Sequence, residues 1–326
     1  MSKVVLLSAP YMLPVRSRFM PLFAKFGIEI IVPDVDERLE APELLKLAGQ
    51  FDGAVCGDDR FNADVLTACA PRLKVISKWG TGIDSIDSAT AKRLGIAVRN
   101  TPDAFTDAVA DSVLSYVLAF ARQTPWLDKA LKSGEWKKLL ARSLNECRLG
   151  VIGVGRIGKE VLRRAQAFGM HLIGNDIVEM PAQFLTEVNV KMTSLDQVLS
   201  QSDFISLNCD LNPTSRHIID RAALAKMRPS AVLINTARGS LIDEPALIAA
   251  LQSKRLAGAA LDVFEQEPLP TSSPLRAMEN VMLAPHNSNA SPAAWERVHW
   301  NTIRNLLDGL GIDAADLDPA DYPPPE

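Results

Sequence analysis

Short aliphatic and β-branched runs alternate with helical patterns along most of the chain. KVVLLS, IEIIVP, GAVCG and LKVISKWG are four such runs, with helical stretches between them at about 15–26, 41–48 and 62–69. A second series follows: RLGVIGVG, HLIGND, VKMTS, FISLNC, AVLINTA, GAALDVF and VMLAP, with helical segments between most of them. Strand–helix–strand alternation of this kind marks an open parallel sheet with helices on its faces. The chain therefore reads as α/β, with two doubly wound parallel sheets in tandem.

The segment between the two series is helical. Val109, Val113, Val117 and Phe120 fall on one face at helical spacing. Pro125 interrupts the pattern, which predicts two helices joined at a bend over about 104–138. Trp126 and Trp136 lie on this arm outside the sheet pattern, and exposed large aromatics there suggest a partner surface. After the last strand, Ser291 can cap a final helix that has Pro292 in its first turn. The acidic, proline-rich DAADLDPADYPPPE is too polar to build a core and is expected to be disordered or draped on the surface.

Composition narrows the function classes. A chain of 326 residues is long for one core and suggests two domains. The net charge of −4 leaves no basic stripe for nucleic acid. No apolar run is long enough for a membrane span, and the run near the start is too short for a signal peptide. Cys56, Cys69, Cys147 and Cys209 are scattered with no C-x-x-C spacing, so they read as free thiols in a reducing compartment and imply no metal site. A cytoplasmic enzyme is the default expectation, with a binding protein as its rival.

The candidate chemistry starts at LGVIGVGRIG. Gly153, Gly155, Arg156, Ile157 and Gly158 form a G-x-G-x-x-G turn between a strand and a helix. Its glycines allow a tight turn, close approach to a pyrophosphate, and helix–strand packing. The helix N-terminus supplies free N–H groups to the phosphates. Asp176 ends the next strand, where a carboxylate accepts ribose hydroxyls and repels a 2′-phosphate; IVEM behind it has no Arg or Lys. This spacing points to NAD. KWGTGID also has a G-x-G, but no third glycine, so Gly80, Thr81 and Gly82 read as an anion cradle of backbone N–H groups.

His286, in LAPHNSN, is one of four histidines. His171, His217 and His299 read as strand-start, loop and helix-packing residues. His286 joins two further motifs, INTARGSLID with Arg238 and LDVFEQEP with Glu267. With VIGVGRIG and KWGTGIDSID, these five ordered motifs resemble the D-isomer-specific 2-hydroxyacid dehydrogenases, most of all the phosphoglycerate dehydrogenase branch, over about residues 1–310. The resemblance implies two Rossmann-like domains, the NAD-binding domain (99–289) being inserted into a substrate domain (1–98 plus 290–326). It implies a homodimer through the cofactor domains and a small D-2-hydroxy acid or 2-oxo acid as substrate, 3-phosphoglycerate and 3-phosphohydroxypyruvate included. Arg238 would grip the substrate carboxylate and carbonyl, His286 would be the general acid/base, and Glu267 would bond the far nitrogen of His286. Asp262 would contact the nicotinamide carboxamide, with Thr236 and Ala237 also at the cofactor. Thr81 and Gly82 would offer N–H groups to the carboxylate. The rival reading is an NAD(H)-sensing corepressor-like interaction protein.

Elementary chemistry agrees with these roles. Hydride addition to a 2-oxo acid leaves alkoxide character on oxygen, and a histidine in reach protonates it at neutral pH. An arginine fork matches a planar carboxylate with two parallel hydrogen bonds.

The chain also departs from the family pattern. Asn208, Cys209 and Asp210 stand where the family often has His-x-Pro, and Asn287, Ser288 and Asn289 stand where it commonly has glycines. Cys56 takes the place of a loop arginine of the phosphoglycerate branch, followed by Asp58 and Asp59; this weakens the case for a phosphorylated substrate, the alternative being that these acids are only solvated loop residues. Lys78, at a strand end, is then the expected second positive contact for the substrate anion, with Arg60 as a possible helper and Tyr11 and Met12 lining the same pocket.

Overall fold

The computed structural model describes residues 2–324. The first part of the chain alternates β1 (Lys3–Leu7), α1 (Arg16–Lys25), β2 (Ile28–Ile31), α2 (Ala41–Lys46), β3 (Gly53–Cys56), α3 (Ala63–Cys69), β4 (Val75–Lys78), α4 (Ser88–Arg93) and β5 (Ala97–Arg99). The strands form one parallel sheet in the order β2-β1-β3-β4-β5. Every residue of β3 and β4 is buried, as expected of strands covered on both faces. Side-chain caps start the helices where the sequence supplies them: Asn62 accepts from Val65 N, and Asp87 from Thr90 N.

The second part begins with α5 (Thr106–Arg122) and α6 (Thr124–Lys132). It continues through β6 (Arg148–Ile152), α7 (Arg156–Ala167), β7 (His171–Asn175), α8 (Ala182–Val188), β8 (Val190–Met192), α9 (Leu195–Gln201) and β9 (Phe204–Leu207). Then come α10 (Arg221–Lys226), β10 (Val232–Asn235), α11 (Glu244–Gln252), β11 (Gly258–Leu261) and β12 (Val281–Leu283). These seven strands are all parallel, in the order β12-β11-β10-β9-β6-β7-β8. Alternate residues of one strand enter different cores. Val232 and Ile234 pack with Val113 and Val117 on one face, while Leu233 packs with Leu224 and Leu247 on the other.

The last helix, α12 (Pro292–Gly309), is capped by Ser291 and belongs with the first sheet. Contact there is close: a side chain at Gly309 would strike Val75, and one at Gly53 would meet Leu306 Cδ1 at 2.9 Å. Val298, Ile303, Leu306 and Leu307 are fully buried on this helix, each stabilising the fold by roughly 1.5–3 kcal/mol. Two compact units result, one running through Ala104 and resuming at Ser291, the other Phe105–Ala290. At the edge of the first unit, Arg297 Nη2 donates to the Ala104 carbonyl (3.0 Å).

Three expectations are revised. The arm bends at Gln123, in the left-handed region (φ 56°), with Pro125 already inside the first turn of α6. Helix ends at Lys132, ahead of Gly134 at φ 91°, so residues to 138 are not helical. Trp126 is not exposed: it packs on Phe120 (4.9 Å) and its Nε1 donates to the Glu279 carbonyl (2.7 Å). Leu131 (58 % exposed), Trp136 (86 %) and Leu140 (95 %) are large apolar side chains that this stretch shows to solvent. The acidic tail is draped, with Leu317 buried and the Tyr322 ring on Trp300.

Candidate active site

Three neighbouring strands of the second unit, β10, β11 and β12, deliver the expected catalytic side chains just past their carboxyl ends. Ligands of open parallel sheets bind at that edge. Arg238 follows β10, its backbone carbonyl held by Asn235 Nδ2 (2.8 Å). Gly239 abuts the backbone of Phe264 so closely that any side chain would collide with it. The Arg238 loop is thereby set against the loop that carries Glu267.

His286 occupies a left-handed conformation (φ 52°), uncommon for a non-glycine residue and sustained only when the surroundings fix it. The surroundings here are Asp262 and Glu267. The Asp262 carbonyl accepts from His286 N (2.7 Å). Its carboxylate, 1 % exposed, accepts from Asn287 N and Ser288 N, both at 2.8 Å. Glu267 Oε1 accepts from Phe264 N (2.9 Å), and its Oε2 lies 3.1 Å from His286 Nδ1. With Nδ1 committed to the carboxylate, Nε2 is the nitrogen left for proton exchange.

Sequence reasoning assigned Asp262 to the cofactor and missed this anchoring role. Both its carboxylate oxygens hold the loop that presents His286. They also explain how Asn287 and Ser288 replace glycines there, since the loop is held through backbone N–H groups that any residue carries.

The dinucleotide cradle is well formed. Gly153 has φ 88°, and a side chain on it would strike the Cys209 backbone. One on Gly158 would strike the Gly153 carbonyl, so strand and helix touch through hydrogen there. At Gly155 nothing lies within 4 Å of a built side-chain carbon, which leaves open space where α7 begins at Arg156. No side chain caps that end. Ile157 packs into the core behind it. The turn therefore has room for a pyrophosphate at a helix N-terminus.

Asp176 Oδ2 accepts from Val154 N (2.6 Å) and its Oδ1 from Val178 N (2.8 Å), which fixes the carboxylate beside the glycine turn. Its neighbours Ile177 and Val178 are apolar and exposed. Ala237 N donates to Asn235 Oδ1 (3.1 Å). The buried Thr236 hydroxyl and Asn208 Oδ1 have no partner among the described residues.

In the first unit, Lys78 ends β4 and is 4 % exposed. Its Nζ pairs with Asp58 Oδ1 at 2.9 Å, so Lys78 is not the free cation the sequence suggested. Asp59 is fully buried, not solvated: Ser8 Oγ donates to it (2.6 Å), as does Leu39 N, and burial pushes its carboxyl up to about 6. Gly80 spends its N–H on Thr101 Oγ1 (3.2 Å) and so shapes the loop. The N–H groups of Thr81 and Gly82 make no hydrogen bond among the described residues.

Met12 is fully buried and lines no open surface, while Tyr11 packs on Trp79 (5.0 Å) and Trp295 (5.2 Å). Of the other histidines, His171 starts β7, exposed. His217 pairs with Glu265 (2.6 Å). His299 is buried and accepts from Trp79 Nε1 (3.0 Å), its pKa pushed down to about 4 by burial.

A glycine-rich turn at a parallel-sheet edge, a carboxylate at the end of the next strand and a carboxylate-backed histidine are the parts expected of a nicotinamide-dependent oxidoreductase. The chain belongs to the D-isomer specific 2-hydroxyacid dehydrogenase family, whose NAD-binding-domain model matches residues 114–288. It is 39% identical over 272 residues to a glyoxylate reductase of Thermofilum pendens, covering 81% of this chain and 80% of that one. Over 282 residues it is 39% identical to a hydroxypyruvate reductase of Thermotoga maritima, covering 85% and 90%. The solved structure of a glyoxylate reductase from Paecilomyes thermophila superimposes with a TM-score of 0.83 at 32% identity, covering 95% of each chain. The chain is thus an NAD-dependent enzyme that interconverts 2-hydroxy and 2-oxo acids. Among the described residues no helix is long and apolar enough to cross a membrane, and no group of His, Cys, Asp and Glu could hold a metal ion.

Proposed function

We propose that the chain reduces a short 2-oxo acid to the D-2-hydroxy acid, with glyoxylate and hydroxypyruvate as the first candidates. The observation that carries this reading is the His286–Glu267 pair, its glutamate on the loop that abuts that of Arg238. NADH, when bound, would supply the hydride. Gly153, Gly155 and Gly158 would shape its pyrophosphate site, Asp176 would hold its ribose, and Thr236, Ala237 and Asp262 would lie at its nicotinamide end.

Arg238 fixes the substrate carboxylate and carbonyl through its planar fork. In the first unit, the backbone N–H groups of Thr81 and Gly82 remain the donors offered for an anion. His286 gives the proton on Nε2 to the oxygen at C2, and Glu267 stabilises the imidazolium that does so. The names of the relatives, glyoxylate and hydroxypyruvate reductase, support a substrate of this size. Nothing in the structure favours the cofactor-sensing alternative, and the presence of Arg238, Glu267 and His286 supports turnover.

The arm with Trp136 and Leu140 fits a homodimer, in which a second copy covers them. Four unpaired thiols suit a cytoplasmic setting. The test is loss of NADH absorbance with a panel of 2-oxo acids. No turnover of any of them by protein that binds NADH overturns the reading.

A further inference from the structure

His217 has no part in the chemistry proposed above, yet it is bonded to both loops that carry that chemistry. It lies between β9 and α10, and its backbone is left-handed (φ 52°), as at His286. A non-glycine residue stays in that region only when its surroundings fix it. Here the fixing groups come from two directions. His217 N donates to the Ser240 carbonyl (2.9 Å), two residues after Arg238. Its Nε2 meets Glu265 Oε1 at 2.6 Å, two residues before Glu267. An ionised carboxylate only accepts, so the proton in that bond belongs to the imidazole.

The joined segments also meet directly. Gly239 abuts the Phe264 backbone, and Glu244, the first residue of α11, accepts from Glu265 N (3.1 Å). Burial, together with the charges of Glu265 and Glu267, holds the Glu244 carboxyl above its ordinary range, so three carboxylates share this corner of the second unit. They repel one another. His217 gives the Glu265 carboxylate a partner, and keeps the segment from Phe264 to Glu267 against the one that carries Arg238.

We infer that His217 is a positioning residue for the reaction: by bridging the Ser240 carbonyl and the Glu265 carboxylate, it fixes Glu267, and through it His286, relative to Arg238. The inference rests on the reductase reading, which needs the acid/base pair and the arginine in one register. Displacing a reacting group by about an ångström costs up to about a hundredfold in rate. The side chains of the pair are partly exposed, 37% at His217 and 29% at Glu265. Pairs this accessible add little to stability. Loss of the bond should therefore show in turnover more than in melting.

The test measures kcat and KM for the 2-oxo acid turned over best, NADH affinity by fluorescence, and the melting temperature. His217→Asn suits a left-handed backbone, but its amide is shorter than the imidazole and leaves Glu265 without the bond. His217→Asn and Glu265→Ala should each lower kcat by about tenfold or more, with NADH affinity within about twofold of wild type. The double variant should lose about as much as the worse single variant, because both changes break one bond. A kcat within about twofold of wild type in a cooperatively melting His217→Asn protein overturns the inference and leaves the reductase reading standing. So do single losses that multiply in the double variant. His217→Gly serves in its place, under the same limits, if the asparagine variant does not fold. No turnover of any acid by wild type that binds NADH overturns the reductase reading, and the inference with it.

Discussion

His286 Nδ1 lies 3.1 Å from Glu267 Oε2, although the two residues come from loops that follow different strands, β12 and β11. A histidine with one nitrogen committed to a carboxylate has a single nitrogen for chemistry and a fixed ring orientation. His286→Ala should therefore lower kcat by about a thousandfold or more while NADH affinity stays within a few-fold, because the glycine turn is untouched. Turnover within tenfold of wild type would sink the acid/base assignment. Glu267→Gln keeps a hydrogen-bonding side chain but loses the charge that stabilises the imidazolium. It should lower kcat by roughly ten- to a hundredfold with little change in KM.

Asp262 anchors the same loop. Its carboxylate is buried and accepts two N–H groups, so Asp262→Ala strands both donors. Each stranded buried donor costs about 1–3 kcal/mol. The variant should melt at lower temperature and lose kcat at once, because His286 is no longer held in its left-handed conformation. Loss of stability with full kcat would show that the loop holds without it.

The strands and the glycine turn were legible because each depends on local pattern: buried strands read as apolar runs, and a G-x-G-x-x-G turn needs glycine at each place, whereas Arg238, Glu267 and His286 stood out only through the resemblance to a family. Three features were not legible for one shared reason, that they depend on partners distant in sequence. The Lys78–Asp58 pair exists because β3 and β4 are in register. Asp59 is buried because Ser8 and Leu39 close over it. Trp126 is half-buried because it packs on Phe120 and donates to the Glu279 carbonyl. The end of α6 was readable in principle from Gly134, a common stop signal.

Asp176 should govern cofactor choice. Its carboxylate is held by Val154 N and Val178 N, and no basic side chain follows it in the loop. A 2′-phosphate there meets a fixed negative charge. Asp176→Ala should weaken NADH binding and narrow the NADH-to-NADPH affinity ratio by tenfold or so, given the usual worth of a charged hydrogen bond. Titration of both cofactors by fluorescence measures it, and an unmoved ratio would remove Asp176 from the ribose site.

Trp136 and Leu140 test assembly. Side chains this large are rarely left at 86 % and 95 % exposure unless something covers them. Light scattering should give a dimer at micromolar concentration, and Trp136→Glu with Leu140→Glu should give monomer. A wild-type monomer would refute the homodimer.

His299 makes the first unit sensitive to acid. The ring is buried between Trp79 and Phe19, and its Nδ1 accepts from Trp79 Nε1, which requires a lone pair on that nitrogen. Burial lowers its pKa from 6.5 to about 4, against a partly compensating pull from Glu296, which itself pairs with Arg18. A histidine whose folded pKa is depressed stabilises the fold fully above its unfolded value, and that contribution is lost as pH falls through the folded value. The window thus runs from about 6.5 down to about 4. Asp59 acts in the opposite sense, since its raised pKa favours the fold as pH falls through about 6, so the total pH profile of the protein mixes the two. A difference measurement separates them. His299→Asn places an amide oxygen near the position of Nδ1 and does not titrate. Relative to this variant, the wild-type protein should lose about 2 kcal/mol between pH 7 and pH 5, read as the gap between their denaturant-melting free energies. Parallel profiles over that range would mean that His299 is not held neutral by the fold.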